Sequence, residues 1–271
     1  DLLFDESLTE QGRNFGNKIW NAFRLVKSWK TDHALQQPEE ASLAMKWFES
    51  RLSKGIRDMD DCFRKYRISE ALMVIYRLFW DDFSSWYLEM VKPAYQKPVD
   101  NTTLEGTIRF FEQILCLLHP FMPFITEEIW QYLKERQAGE SIMIIQMPKP
   151  GKVDLHLLNE FDQAKEIIVC IRGLRSEKNI SPKEDLDLLY SENNGKRNQF
   201  QSVIIKMAHL SSVTEVKNKP EDVASFMVKN NEYYVHIGSK MNKEEERKKL
   251  ETELKYMQGF LTSVNRKLAN E

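Results

Sequence analysis

Three cysteines in 271 residues, Cys62, Cys116 and Cys170, lie 54 positions apart each time. An odd number without a close pair excludes a disulfide framework and offers no CxxC metal-ligand pair, so reduced, buried thiols in an intracellular protein are expected. No run approaches the 18 or so apolar residues of a membrane-spanning helix, and no secretory leader pattern is present. The formal charge is only -2, so any nucleic-acid site must be a local patch on a balanced surface. Low complexity is excluded too: ten glycines and nine prolines accompany 42% hydrophobic and 30% charged residues, an ordinary globular composition. The five histidines, His33, His119, His156, His209 and His236, are scattered. None sits in HExxH or beside a cysteine at zinc-ligand spacing. GxSxG, Walker and Rossmann patterns are missing. No catalytic residue, metal site or cofactor is therefore expected within this chain. It opens at Asp1 without a methionine, which reads as a piece of a longer protein.

What is present is mostly helical periodicity. Apolar residues at Phe15, Ile19, Ala22 and Val26 predict a first helix over about 8–30. Leu43, Trp47, Leu52, Ile56, Met59 and Phe63 predict a second from Pro38 to Tyr66, with the proline in its first turn. A third, over 69–90, has a face wide enough for the middle of a bundle, and a fourth follows over 102–118 after the turn-rich Lys92–Asn101 stretch. His119-Pro120 and Met122-Pro123 break the pattern. A short helix then begins at Thr126, with Glu127 and Glu128 in its first turn where the macrodipole favours acids.

Beyond residue 137 the character changes. Ile142–Ile145 reads as a strand ahead of the Met147-Pro148-Lys149-Pro150-Gly151 linker, and 159–178 as a helix stopped by Ser181-Pro182. Strands are expected at 186–190, 213–216 and 233–237, a helix at 200–210, and a turn at Asn193-Asn194-Gly195. Leu250, Leu254, Met257, Leu261, Val264 and Leu268 alternate spacings of four and three, the a/d seam of a coiled coil. That seam ends at Glu271 without a second helix. The fold class expected is mainly α: a helical bundle over 1–137, a small α/β module over 138–240, and a single C-terminal coiled-coil helix over 241–271.

The first helix carries the most suggestive chemistry. From Arg13 to Lys30 it has Arg13, Lys18, Arg24, Lys27 and Lys30 with no acid. Arg13, Asn17, Asn21, Arg24 and Lys27 share the face opposite the apolar stripe. Guanidinium groups can grip phosphates, asparagine amides can read base edges, and an exposed Trp20 or Phe23 could stack. The same spacing also fits a solvated face with its aromatics buried, and pattern alone favours that. Two weaker basic sets occur: Arg64, Lys65 and Arg67 at a helix turn, and Arg172, Arg175 and Lys178 along the polar side of the 159–178 helix. Each such set is more often simply a helix end complementing its dipole, or surface solubility. Trp86 and Trp130 sit at core-like positions.

GRNFGNKIWNAFRLV (12–26) resembles the opening helix of the anticodon-binding domain in class I aminoacyl-tRNA synthetases for branched aliphatic amino acids, the valyl type above all. LHPFMPFITEEIWQYL (118–133) is similar to the closing segment of that domain. IVCIRGLRSEKNISP (168–182) is similar to the helix that follows it, and EEERKKLETELKYMQGFLTSVNRKLANE (244–271) to the first helix of the valyl coiled-coil arm. The four matches fall in family order and span nearly the whole chain. The resemblance implies a tRNA partner, bound through the anticodon stem and loop. The nucleotide-binding fold with its HIGH and KMSKS signatures, ATP and Mg2+ would belong to an N-terminal catalytic domain outside this chain, and would act in the full-length cytoplasmic ligase. It further implies no aminoacylation by this piece alone. The chain departs from the family in carrying only the ascending half of the hairpin arm, so fraying, crystal-mediated pairing or self-association of that helix is expected. The alternatives are the equivalent domain of an isoleucyl or leucyl enzyme, or a helical protein-interaction scaffold.

Overall fold

The computed structural model describes residues 6–191, 198–221, 223–236, 252 and 254–261. The chain is mainly α-helical with a small mixed β-sheet, and it divides into two compact units. One comprises the described residues up to Ile168 together with those of Arg197–Ala208; the other holds Val169–Lys196 and the described residues from His209 onward.

Six helices build most of the first unit: α1 (Glu6–Lys27), α2 (Glu39–Arg64), α3 (Ile68–Arg77), α4 (Leu88–Val91), α5 (Asn101–Leu118) and α6 (Pro123–Leu133). Most of their expected apolar positions are core, Ile19, Trp47, Leu52, Ile56, Met59, Ile75, Phe79, Phe83 and Phe111 among them. Leu43 and Phe63 are only half-buried, whereas Ala44, Phe48 and Ile114, which the stripes did not include, are fully enclosed. Pro38 stands at the N-cap of α2, one position before the helix, where its missing N–H costs nothing. Asp100 caps α5 by accepting a hydrogen bond from the Thr103 amide at 2.8 Å. The prolines at 120 and 123 separate α5 from α6 as expected.

The third predicted helix is not one α-helix. Leu78–Tyr87, between α3 and α4, winds as a π-helix. Its buried residues fall in pairs, Leu78-Phe79, Asp82-Phe83 and Trp86-Tyr87, and the widened i→i+5 turn keeps these bulky pairs on one face. Phe83 lies 5.3 Å from Phe48 and 5.2 Å from Phe111, and Tyr87 4.9 Å from Phe48, ring centre to ring centre. Asp82 comes with them into the core and meets Arg51 at 2.9 Å. Burial pushes its carboxyl above the ordinary range against the pull of that guanidinium.

Two local expectations around α6 are corrected. The helix starts at Pro123, so Thr126 lies inside it and returns its hydroxyl to the Met122 carbonyl at 2.8 Å. Glu127 therefore lies past the first turn and does different work. Ile142–Ile145 is no strand: Ile142–Ile144 forms a 3-10 turn, with Ile142 buried and Met143 and Ile144 each 76% exposed. Glu127 holds that turn, accepting from the Ser141 hydroxyl at 2.7 Å and the Ile142 amide at 3.2 Å, and from Gln131 at 2.8 Å. Burial would raise its pKa, but these bonds outweigh burial and lower it. A lowered carboxyl stabilises the fold above the unfolded carboxylate pKa and loses that contribution as pH falls through the folded value. Glu127→Ala is expected to cost about 1 kcal/mol near neutral pH, and a urea midpoint difference that shrinks in acid would verify it.

The helix α7 (Leu155–Glu177) buries Phe161, Ala164, Ile167, Ile168, Ile171 and Leu174 as its periodicity predicts. In the first unit, Phe161 sits 4.0 Å from Trp47 and 5.2 Å from Phe200, which precedes α8 (Gln201–Ala208). The second unit carries the sheet, ordered β2-β1-β4-β3 from β1 (Leu186–Ser191), β2 (Leu210–Val216), β3 (Val223–Val228) and β4 (Asn231–His236). β1 pairs with β2 in parallel, while β4 runs antiparallel to both β1 and β3. Sequence periodicity missed β3. Its turn to β4 is Lys229-Asn230 with Lys229 at φ 54°, not a glycine-bearing hairpin signal.

The 193–195 turn and seam positions Leu250, Val264 and Leu268 fall outside the described residues. Residues 254–261 are helical, with Leu254, Met257 and Leu261 each about 60% exposed. No cysteine is in a disulfide. Cys116 is buried, but Cys62 and Cys170 are only half-buried, since each lies at the margin of its helix's apolar stripe rather than at its centre. No described helix is long and apolar enough to cross a membrane.

Candidate nucleic-acid interface

Placing Phe15, Ile19, Ala22, Phe23 and Val26 in the core turns the opposite face of α1 to solvent. Arg13, Asn17, Asn21, Arg24 and Lys27 are all exposed there. Of the two aromatics offered for stacking, Phe23 is buried at 7%, and only Trp20, 37% exposed, reaches the surface. Trp86 and Trp130 pack in the core as expected, at 8% and 4%.

The cations of α1 are not equivalent. Lys18 leans away from the face, its Nζ 4.2 Å from the centre of the Trp80 ring and 3.3 Å from the Ser85 hydroxyl. Burial pulls its pKa down, with Asp81 opposing. That ammonium is committed to the π-helical segment. Lys27 donates to the Tyr132 carbonyl at 2.9 Å, capping the end of α6. Arg13 is held loosely by Glu10 at 3.6 Å, with both side chains more than 60% exposed, a contact of little energetic weight. The side chains of Asn17, Asn21 and Arg24 make no hydrogen bond or ion pair among the described residues. A cleft of about 360 Å³ runs beside the two asparagines, lined by Asn14, Asn17, Lys18 and Asn21 on α1 and by Ser84, Leu88 and Glu89 opposite; Arg24 lies outside this lining. Unspent amide donors along an open cleft, and an exposed guanidinium on the same helix, can hydrogen-bond phosphates or base edges without first breaking internal bonds.

Arg64, Lys65 and Arg67 flank Tyr66, which is 90% exposed at φ 57°. Lys65 pairs with Asp61 at 2.6 Å and Arg67 with Glu70 at 3.5 Å. In the second unit Arg172 is exposed, and Lys178 lies 3.3 Å from Glu177.

Arg175 departs from the expected polar side of the helix. It is 5% exposed and donates to the carbonyls of Ser181 at 2.9 Å and His209 at 2.8 Å. It ties the end of α7 to the start of the sheet and cannot face a nucleic acid. Arg175→Met is expected to lower stability by about 2 kcal/mol through those stranded carbonyls, with binding unaffected once folding is restored. Thermal melts beside binding curves would separate the two effects. Sequence reading also passed over Trp29, Tyr95 and Lys97, which line a second and larger cavity in the first unit. The basic-aromatic-proline string Lys92-Pro93-Ala94-Tyr95-Gln96-Lys97-Pro98 was their signal, read only as a turn. Among the described residues no cluster of histidine, cysteine or carboxylates could hold a metal ion.

The first unit is thus a helical bundle whose first helix presents exposed asparagine and arginine side chains, the asparagines beside a cleft. The chain belongs to the family of anticodon-binding domains of tRNA ligases, whose sequence model matches residues 45–190. Over its whole length it is 53% identical to valine–tRNA ligases of Parabacteroides distasonis and Phocaeicola vulgatus, and 33% identical to that of Fusobacterium nucleatum. It spans 31% or 32% of the length of these relatives.

Proposed function

We propose that this chain is the tRNA-binding part of a valine–tRNA ligase and engages the anticodon stem and loop of valine tRNA through the exposed face of α1. The observation that carries the reading is the row Asn17, Asn21 and Arg24, solvent-facing with uncommitted side chains and with its two asparagines beside an open cleft, in a chain of this family. Arg13 extends the row. Arg64, Lys65, Arg67, Arg172 and Lys178 are auxiliary phosphate contacts, whereas Lys18 and Lys27 serve mainly to fix α1 in place. The bundle to about residue 137, the module to about 240 and a coiled-coil arm from 241 act as three parts, the arm reaching the tRNA body and able to self-associate through its apolar seam. Aminoacylation, with its ATP and Mg2+, belongs to an N-terminal catalytic domain of the same cytoplasmic ligase, and no step of it is assigned to residues here.

A helical scaffold that binds proteins through a neutral seam is the competing reading, and salt separates the two. Each phosphate neutralised contributes a slope of roughly -0.7 to -0.9 in log affinity against log salt. Mobility-shift titrations of the chain with valine tRNA at several salt concentrations should give a slope of at least about -2. A flat dependence, or no complex at low salt, would dismiss the tRNA reading.

A further inference from the structure

The largest cavity described for the first unit lies beyond the C-terminal end of α1, not along its polar face. It measures about 1260 Å³ and is walled by two irregular segments, 28–34 and 92–98. These walls are sewn together: Thr31 bridges Val99 in parallel, the Asp32 amide donates to the Val99 carbonyl at 3.1 Å, and the Val99 amide to the Lys30 carbonyl at 2.9 Å. Pro93 and Pro98 restrict the second wall, and Gln96 turns it at φ 60°. The groove is therefore held open by backbone bonds rather than by a chance arrangement of side chains.

Its lining combines two aromatic rings with a surplus of positive charge. Tyr95 is 89% exposed at the groove and Trp29 is half-buried in it. Lys30, Lys92 and Lys97 line it with His33, against a single carboxylate, Asp32. That carboxylate accepts from the Ala34 amide at 2.9 Å. Lys92 pairs with Glu89, while Lys30 and Lys97 have no acidic partner among the described residues. An aromatic platform beside uncompensated lysines is what an unpaired nucleotide requires: a π-face for the base and cations for the phosphate. The cavity shares Leu25 with the cleft beneath Asn17 and Asn21, so one RNA strand can run from one to the other.

We propose that the groove between residues 28–34 and 92–98 is a second nucleic-acid subsite, which takes one unpaired nucleotide of the bound RNA with its base stacked on Tyr95 and its phosphate against Lys30 and Lys97. This rests on the reading that α1 binds RNA, and adds a position that the polar row of α1 does not supply.

The test uses the whole chain and a fluorescent valine anticodon stem–loop RNA, with single loop nucleotides made abasic in turn. Tyr95→Ala is expected to weaken binding about tenfold, within the usual range for loss of one base stack, and Tyr95→Phe to restore it. Tyr95 is exposed, so circular dichroism should show both variants folded. One abasic position should cost the unmodified chain a similar factor and cost Tyr95→Ala nothing further. Normal binding by Tyr95→Ala, with Arg24→Glu impaired, would overturn the groove and leave the α1 reading standing. Losses in Tyr95→Ala that add to every abasic loss would likewise exclude stacking. Failure of the unmodified chain to bind the RNA would overturn both.

Discussion

Phe48→Ala should lower the unfolding free energy of the bundle by about 3–5 kcal/mol, the cost typical of deleting a fully buried aromatic. Phe48 is 0% exposed and its ring meets Phe83, Tyr87 and Phe110 at centroid distances of 5.3, 4.9 and 5.2 Å. It joins α2 to the π-helical segment and to α5, so the void would be shared by three elements that cannot all close onto it. Domains of ordinary stability have about 5–15 kcal/mol in total, and the loss is therefore a large fraction. Phe124→Ala is the matched control: its ring is 90% exposed on α6, and a change within about 0.5 kcal/mol is expected. Guanidinium unfolding followed by helical circular dichroism measures both. Equal midpoints for Phe48→Ala and the unmodified chain would mean that the aromatic cluster is not the centre of the fold.

Reversing both exposed arginines of α1, Arg13→Glu with Arg24→Glu, should reduce affinity for valine tRNA by at least about tenfold and flatten the salt dependence by roughly two phosphate equivalents. Both side chains are exposed, and the contact between Arg13 and Glu10 at 3.6 Å is too weak to hold the helix. The bundle should therefore stay folded. Reversal of Lys27 should behave differently, because its bond to the Tyr132 carbonyl would be lost and stability would fall along with binding. Unchanged affinity and slope in the double variant would remove α1 from the interface.

The helical part of this fold was legible because each stripe had one dominant period. The expected apolar positions of α1 and α7 and most of those of α2 and α5 fill the core, and the proline pairs mark the break between α5 and α6. What escaped was structure that does not change which residues are apolar. The π-helical winding of Leu78–Tyr87 hides inside a wide aromatic face. The Ile142–Ile144 turn hides in a β-branched run whose fate is decided by Glu127, distant in sequence.

The candidate site was legible as a face but not as a set of available groups. Nothing in helical spacing shows that Lys18 packs on Trp80, that Lys27 caps α6, or that Arg175 is consumed by two carbonyls. A charge run gives position, and only packing decides which charges remain unspent. The Trp29 and Tyr95 groove was illegible for a related reason: its walls are loops more than sixty residues apart in the chain, joined by the bonds of Val99.

The central claim, recognition of the anticodon stem and loop, is tested most directly by titrating the chain with valine tRNA and with the same tRNA carrying an exchanged anticodon, at one fixed salt concentration. Binding to the native anticodon should be tighter by about tenfold or more, the cost of one or two lost base contacts. Equal affinities would contradict anticodon recognition even if both complexes form.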